Sequence, residues 1–274
     1  MELIVVLLAI LIERLSKFIH PIRNHFWLVR YAEKTIKAVG NNGYIGVLLA
    51  VLPIVVVVAI LQLFLKSVAF GFLGWLFNLA VLLYCLGDSR LREHIEECYR
   101  FAANGDEDQS RVLLNEHFGI RVAEVLNPAL FMQAFYQAAL QRLFSILFWF
   151  VLLGPAACLA YRLVQRLSVT LEESSAQRFS AWLTFVFDWL PARLLALSFC
   201  LAGHFSDIFS EWRKTFKSRI SETYQILYRC GHAAIRMDEN PKPEIVSAQF
   251  DEAYGLVNRS LFIWLVILAL VFLF

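Results

Sequence analysis

Residues 185–197 read FVFDWLPARLLAL, inside an apolar run from Phe179 to Gly203. About 20 apolar residues in a helix cross the hydrocarbon core of a bilayer, so the run is long enough to span. It nevertheless holds Asp188, Pro191 and Arg193 within six positions. A charge at bilayer depth costs on the order of 3 kcal/mol on insertion scales, and an interior proline removes a helical hydrogen bond. A span with these residues needs polar company inside a helix bundle. Reading the run as such a span decides the fold class.

The rest of the chain agrees. Of 274 residues, 59% are hydrophobic, 24 are Phe and only 18% are charged, against about 25% charge in soluble domains. The apolar residues fall into runs: Met1–Ile12, Tyr44–Leu65, Val68–Leu86, Leu143–Tyr161, Phe179–Gly203 and Leu261–Phe274. The second to fifth are long enough to span. The first and last, at 12 and 14 residues, are short terminal segments; the last lengthens inward if Val257–Ser260 continue its helix. Met1–Ile12 lacks the basic flank and small-residue cleavage site of a signal peptide. The expected fold is all-α: one polytopic helical membrane domain over 1–274, with about four transmembrane helices, short apolar terminal segments and cytoplasmic helices.

Charge placement orients these spans. Glu13–Gly43, Gly87–Arg142 and His204–Ser260 carry 6, 6 and 8 basic residues, 20 of the 25 in the chain. Cytoplasmic loops are enriched in Lys and Arg, so these segments are expected on the cytoplasmic side. In the middle segment Leu91, Ile95, Cys98, Tyr99 and Ala102 share one helical face. The NGD at Asn104 ends that helix, a second runs through Val112–Leu114, and Asn127–Pro128 opens the approach to the next span. Further on, Trp212, Phe216, Ile220, Tyr224 and Leu227 form a stripe beside Arg213, Lys214, Lys217 and Arg219. Such a helix fits anionic headgroups or an ordinary solvated face. Pro241 and Pro243 end it.

Motifs for soluble chemistry are lacking. The chain has no phosphate loop, dinucleotide fingerprint or nucleophile elbow, and its five cysteines form no CxxC. No cofactor, metal or nucleic acid is expected. Asp106, Glu107 and Asp108 read as a solvated turn, since consecutive acids lack the alternation of a calcium loop. Glu93, Glu96 and Glu97 near His94 read as a charged helix face. The candidate site is the set of ionisable groups near membrane depth: Glu13 and Arg14 after the first run, Arg162 with Arg166 after the fourth, and Asp188, Pro191 and Arg193 in the fifth. Intramembrane charges are functional candidates by default; internal pairing as a helix lock is the other reading. Either way Asp188 and Arg193 should face the bundle interior, neutralised by each other or by Glu13 and Arg162. A carbonyl freed by Pro191 near Phe187 is a further acceptor for Arg193.

Three patches carry a family resemblance: LIERL at 11–15, LFWFVLLGPAACLAYR at 147–162 and FDWLPARLLALSFCLAGH at 187–204. Together they resemble AmpE, an inner-membrane protein of Gram-negative bacteria linked to regulation of chromosomal β-lactamase. AmpE is similar in turn to the CobD/CbiB family, which condenses an amino-propanol group onto cobyric acid in cobalamin synthesis; the shared features here are LFW…LLGP…YR and LPARL. The resemblance also exposes departures from the enzyme family. Residues 137–146, QAALQRLFSI, hold no acid or asparagine; VQRLS at 164–168 replaces the family's Asn-Thr-Leu-Asp; Thr184 and Phe185 stand where the family has two aspartates. Magnesium-dependent acyl transfer needs carboxylates to hold the ion and its phosphates. The resemblance therefore implies a non-enzymatic regulatory or sensory protein of the bacterial inner membrane, modulating β-lactamase induction and cell-wall recycling. Its partners would be the lipid bilayer and other cell-wall-recycling or regulatory membrane proteins. The alternatives are a divergent CobD/CbiB-like ligase and a carrier of a cell-wall fragment, with Asp188 and Arg193 lining its path.

Overall fold

The computed structural model describes residues 2–15, 26–40, 42–67, 71–87, 90–120, 126–203, 212–213, 222–235 and 243–273. Among the described residues the regular elements are helices only: α1 Glu2–Leu15, α2 Phe26–Val39, α3 Gly43–Ser67, α4 Phe72–Cys85, α5 Leu91–Ala103, α6 Glu107–Leu113, α7 Pro128–Ala139, α8 Ser145–Leu153, α9 Pro155–Thr170, α10 Ser175–Ala202, α11 Thr223–Ile235 and α12 Pro243–Leu273. Two π-turns, Leu114–Phe118 and Leu140–Phe144, follow α6 and α7. Four helices are long and apolar enough to cross a membrane: Gly43–Leu65, Pro128–Leu153, Ser175–Ala202 and Val246–Val271. The protein is an all-α polytopic helical protein suited to a bilayer.

Two expected spans are corrected. The run Val68–Leu86 yields α4, with 14 residues, which at 1.5 Å per residue is about 21 Å against a core of about 30 Å. The run Leu143–Tyr161 is two helices, not one. Gly154 breaks it with φ 85°, a left-handed value open to glycine, and Pro155 starts α9 at its first turn. The span there begins earlier, at Pro128, where the Asn127 side chain accepts from the Leu130 amide at 2.8 Å. At the other end, Val257–Ser260 do continue the helix, so Leu261–Phe274 belongs to the 31-residue α12 and its span is full length. Arg142 and Arg259, counted above with the cytoplasmic segments, therefore lie within span helices.

By internal packing the chain divides into two compact units, 1–88 with 145–187 and 89–144 with 188–274. In the first, α3 packs on α2, α4 and α9, and α1 packs on α4. The apolar N-terminal segment thus docks through buried Val5, Val6, Ala9 and Ile10. α3 leaves Val56, Val57, Ile60, Leu63 and Phe64 exposed, a surface for lipid rather than water.

In the second unit, α7 packs on α5 and α11, and α12 packs on α11 and α5. Leu91, Ile95 and Cys98 form the buried face of α5, as their spacing predicts. Tyr99 sets its ring edge-on to Phe131 and Phe250. Asp106 caps α6 by accepting from the Gln109 amide at 3.2 Å, and Glu107 and Asp108 are exposed in its first turn. The C-terminal segment docks through Val246, Phe250, Ala253, Leu256, Val257, Leu261 and Trp264, all buried. Of the expected basic stripe, Tyr224 and Leu227 are buried in α11 and Arg213 is exposed; Phe216, Ile220, Lys214, Lys217 and Arg219 lie outside the described residues.

Candidate functional site

The buried polar centre of the second unit is built on a helix irregularity. The π-turn Leu140–Phe144 inserts an extra residue between α7 and α8; such bulges re-aim side chains and recur at functional sites. Gln141 sits in this turn and is buried. Its Nε2 donates to Asp188 Oδ2 at 3.1 Å and to the Tyr224 hydroxyl at 2.7 Å. The Tyr224 hydroxyl donates to the same Asp188 oxygen at 2.8 Å. Asp188 is 0% exposed. The carboxyl group is thus held in a closed triangle by an amide and a phenol from two other elements, which offsets its desolvation.

Pro191 lies inside α10 without ending it, so Asp188 and Arg193 stay on one continuous helix. Five residues apart, they point about 140° away from one another. Both are buried, as expected, but among the described residues no ion pair joins them. Arg193 turns to its own helix instead. Its Nη1 donates to the Trp189 carbonyl at 3.0 Å, and its guanidinium lies 4.1 Å above the Trp189 ring. The Trp212 indole donates to the Arg193 carbonyl at 3.1 Å. One turn further, the Trp264 indole donates to the Ser198 hydroxyl at 2.8 Å.

The remaining candidates belong to the first unit. Arg162 is buried and donates to Gln165 at 3.2 Å on its own helix. Glu13 is half-buried and Arg14 exposed near the end of α1. So the structure brings Asp188 together with Gln141 and Tyr224, which the sequence reading did not assign to the site, and places the Arg193 guanidinium on the Trp189 ring. The available signal for Gln141 was an amide within a strongly apolar stretch; for Tyr224 it was membership of a stripe read as amphipathic.

The donor set bears on the chemistry. Among the described residues no three His, Cys, Asp or Glu side chains converge as a metal ligand set. Among the described residues the buried centre holds one carboxyl group, Asp188, whose Oδ2 accepts from two donors. Magnesium with its phosphates calls for several oxygen ligands, more than the described residues of this centre supply. Of the acids of α5, Glu96 pairs with Arg92 at 3.1 Å, and Arg92 also reaches Asp251 of α12 at 2.8 Å. All five cysteines are buried, and burial pushes the Cys98 thiol up to about 12.

A family model described as CobD/Cbib protein matches residues 3–225, a stretch that contains Gln141, Arg162, Asp188, Arg193 and Tyr224. The protein named "Cobalamin biosynthesis protein CobD" from Chromobacterium violaceum is 26% identical over 213 residues, 68% of this chain and 67% of its own length. No solved structure matches. Of the two resemblances drawn from the sequence, the one to CobD/CbiB has a counterpart in these matches and the one to AmpE has none.

Proposed function

Since this chain belongs to the CobD/CbiB family, we propose that it is a non-enzymatic member of that family: a regulatory or sensory protein of the bacterial inner membrane, of the AmpE type, modulating β-lactamase induction and cell-wall recycling. The observation that carries the non-enzymatic reading is the buried centre itself. Asp188, held by Gln141 and Tyr224, locks helices or meets a neutral polar ligand, and the described residues around it bring fewer oxygen ligands than a magnesium-dependent condensation demands. The regulatory role rests on the AmpE-like patches at 11–15, 147–162 and 187–204.

The matches taken by themselves favour a second reading, a divergent ligase of cobalamin biosynthesis, because the relative from Chromobacterium violaceum carries that name. Deleting the gene in its host separates the two. The first reading expects altered β-lactamase induction with unchanged cobamide content. Loss of cobamide with unaltered induction overturns it in favour of the ligase.

A further inference from the structure

We propose that the first unit binds an anionic lipid, its acyl chain in a groove between α2, α3 and α4 and its acidic headgroup directed to Arg162 and Arg166 on α9. The groove has a volume of about 530 Å³, within the roughly 300–1,000 Å³ of ligand sites. Leu28, Ile54, Val58, Phe77 and Val81 supply aliphatic and aromatic walls, and among the described lining residues Trp27, Tyr31 and Tyr84 bring polar side-chain atoms. Val57, also in the wall, is 62% exposed, so the groove is open sideways along an apolar helix. That gives entry from a bilayer rather than from water.

Two independent observations add charge to this apolar slot. Leu159 of α9 lines the groove. Arg162 and Arg166 follow it at i+3 and i+7, on the same helical face. Tyr84, in the groove wall, lies within electrostatic reach of both arginines. Arg162 is buried and steered by Gln165 at 3.2 Å, while Arg166 is half-buried. Guanidinium groups one and two turns beyond the groove-lining Leu159 suit a phosphate or carboxylate in fork geometry. An apolar groove alone would take any bulk lipid; the arginines make this one selective for acidic headgroups. All of these residues belong to the first unit, so the inference stands independently of the Asp188 centre and of the regulatory reading.

The test uses the full chain in nanodiscs of phosphatidylcholine with a minority of phosphatidylglycerol, stripped gradually and read by native mass spectrometry. One retained lipid per chain is expected, enriched in phosphatidylglycerol over the bulk mixture. Arg166→Gln should lower that enrichment about fivefold, the attraction of one basic side chain for an acidic surface. Val57→Trp, at an exposed position in the groove wall, should abolish retention without lowering protein yield. Retention at the bulk headgroup ratio, or enrichment unchanged in Arg166→Gln, overturns the proposal.

Discussion

Replacing Tyr224 by Phe removes one oxygen from the buried centre and leaves the ring in place. The hydroxyl donates to Asp188 Oδ2 at 2.8 Å and accepts from Gln141 Nε2 at 2.7 Å. Each hydrogen bond is worth about 1 kcal/mol net, and a buried group left unsatisfied costs about 1–3 kcal/mol more. Gln141 keeps its bond to Asp188 at 3.1 Å, so what loses a partner is one carboxyl lone pair and one Gln141 N–H rather than a whole residue. The expected loss is therefore about 3 kcal/mol. For a chain of this size, 1 kcal/mol corresponds to about 2–4 °C in Tm, giving a fall of roughly 6–12 °C. Thermal unfolding of the detergent-solubilised protein, followed by tryptophan fluorescence, reads it directly. Tyr254→Phe on α12 is the control, since Tyr254 is half-buried and outside the triangle. A Tyr224→Phe protein that melts within 1 °C of that control refutes the view that the triangle stabilises the interior.

Three other outcomes follow from the same geometry. Arg193→Lys keeps the charge but gives up the planar stack on Trp189 and the Nη1 bond to its carbonyl; membrane abundance should fall, by about 1 kcal/mol of stability, and fall further in Arg193→Ala, as quantitative immunoblotting would report. Gly231→Ala puts a Cβ 2.5 Å from the fully buried Tyr136 ring, so α11 must move off α7; a cost of about 1–3 kcal/mol should appear as a lower Tm, and an unchanged Tm counts against this close approach. Cys98, buried with its thiol pushed up to about 12, holds on the order of one thiolate in ten thousand at pH 8; maleimide should modify it only after denaturation, and native labelling detected by peptide mass spectrometry contradicts the burial.

The long apolar run at 179–203 was legible because length and hydropathy alone dictate α10, and Asp188 and Arg193 stood out because charge in such a run is costly. Hydropathy failed where it does not see backbone geometry. It continues smoothly through Gly154 and Pro155, yet the positive φ at Gly154 divides the segment. It also stopped too early at the C-terminus. Gln249, Asp251, Glu252, Asn258 and Arg259 lower the average over the first half of α12, although Val246, Phe250, Ala253 and Val257 keep one face buried at helical spacing. The partners of Asp188 were hidden for a different reason. Gln141 and Tyr224 are neutral, lie 47 and 36 residues away in the chain, and follow no local pattern. Arg193 was expected to seek an acid; an unbroken helix through Pro191 turns it away from Asp188, and Trp189 one turn back is in reach.

The proposal that this member of the CobD/CbiB family is non-enzymatic is tested most directly by cobamide content. A strain lacking its own CobD/CbiB ligase is given this chain, with membrane expression verified, and its cobamide is measured after feeding cobyric acid and the amino-propanol substrate. The account predicts no restoration, because among the described residues the centre offers one carboxyl group, held by Gln141 and Tyr224, too few oxygen ligands for magnesium and its phosphates. Restoration of cobamide synthesis would contradict it.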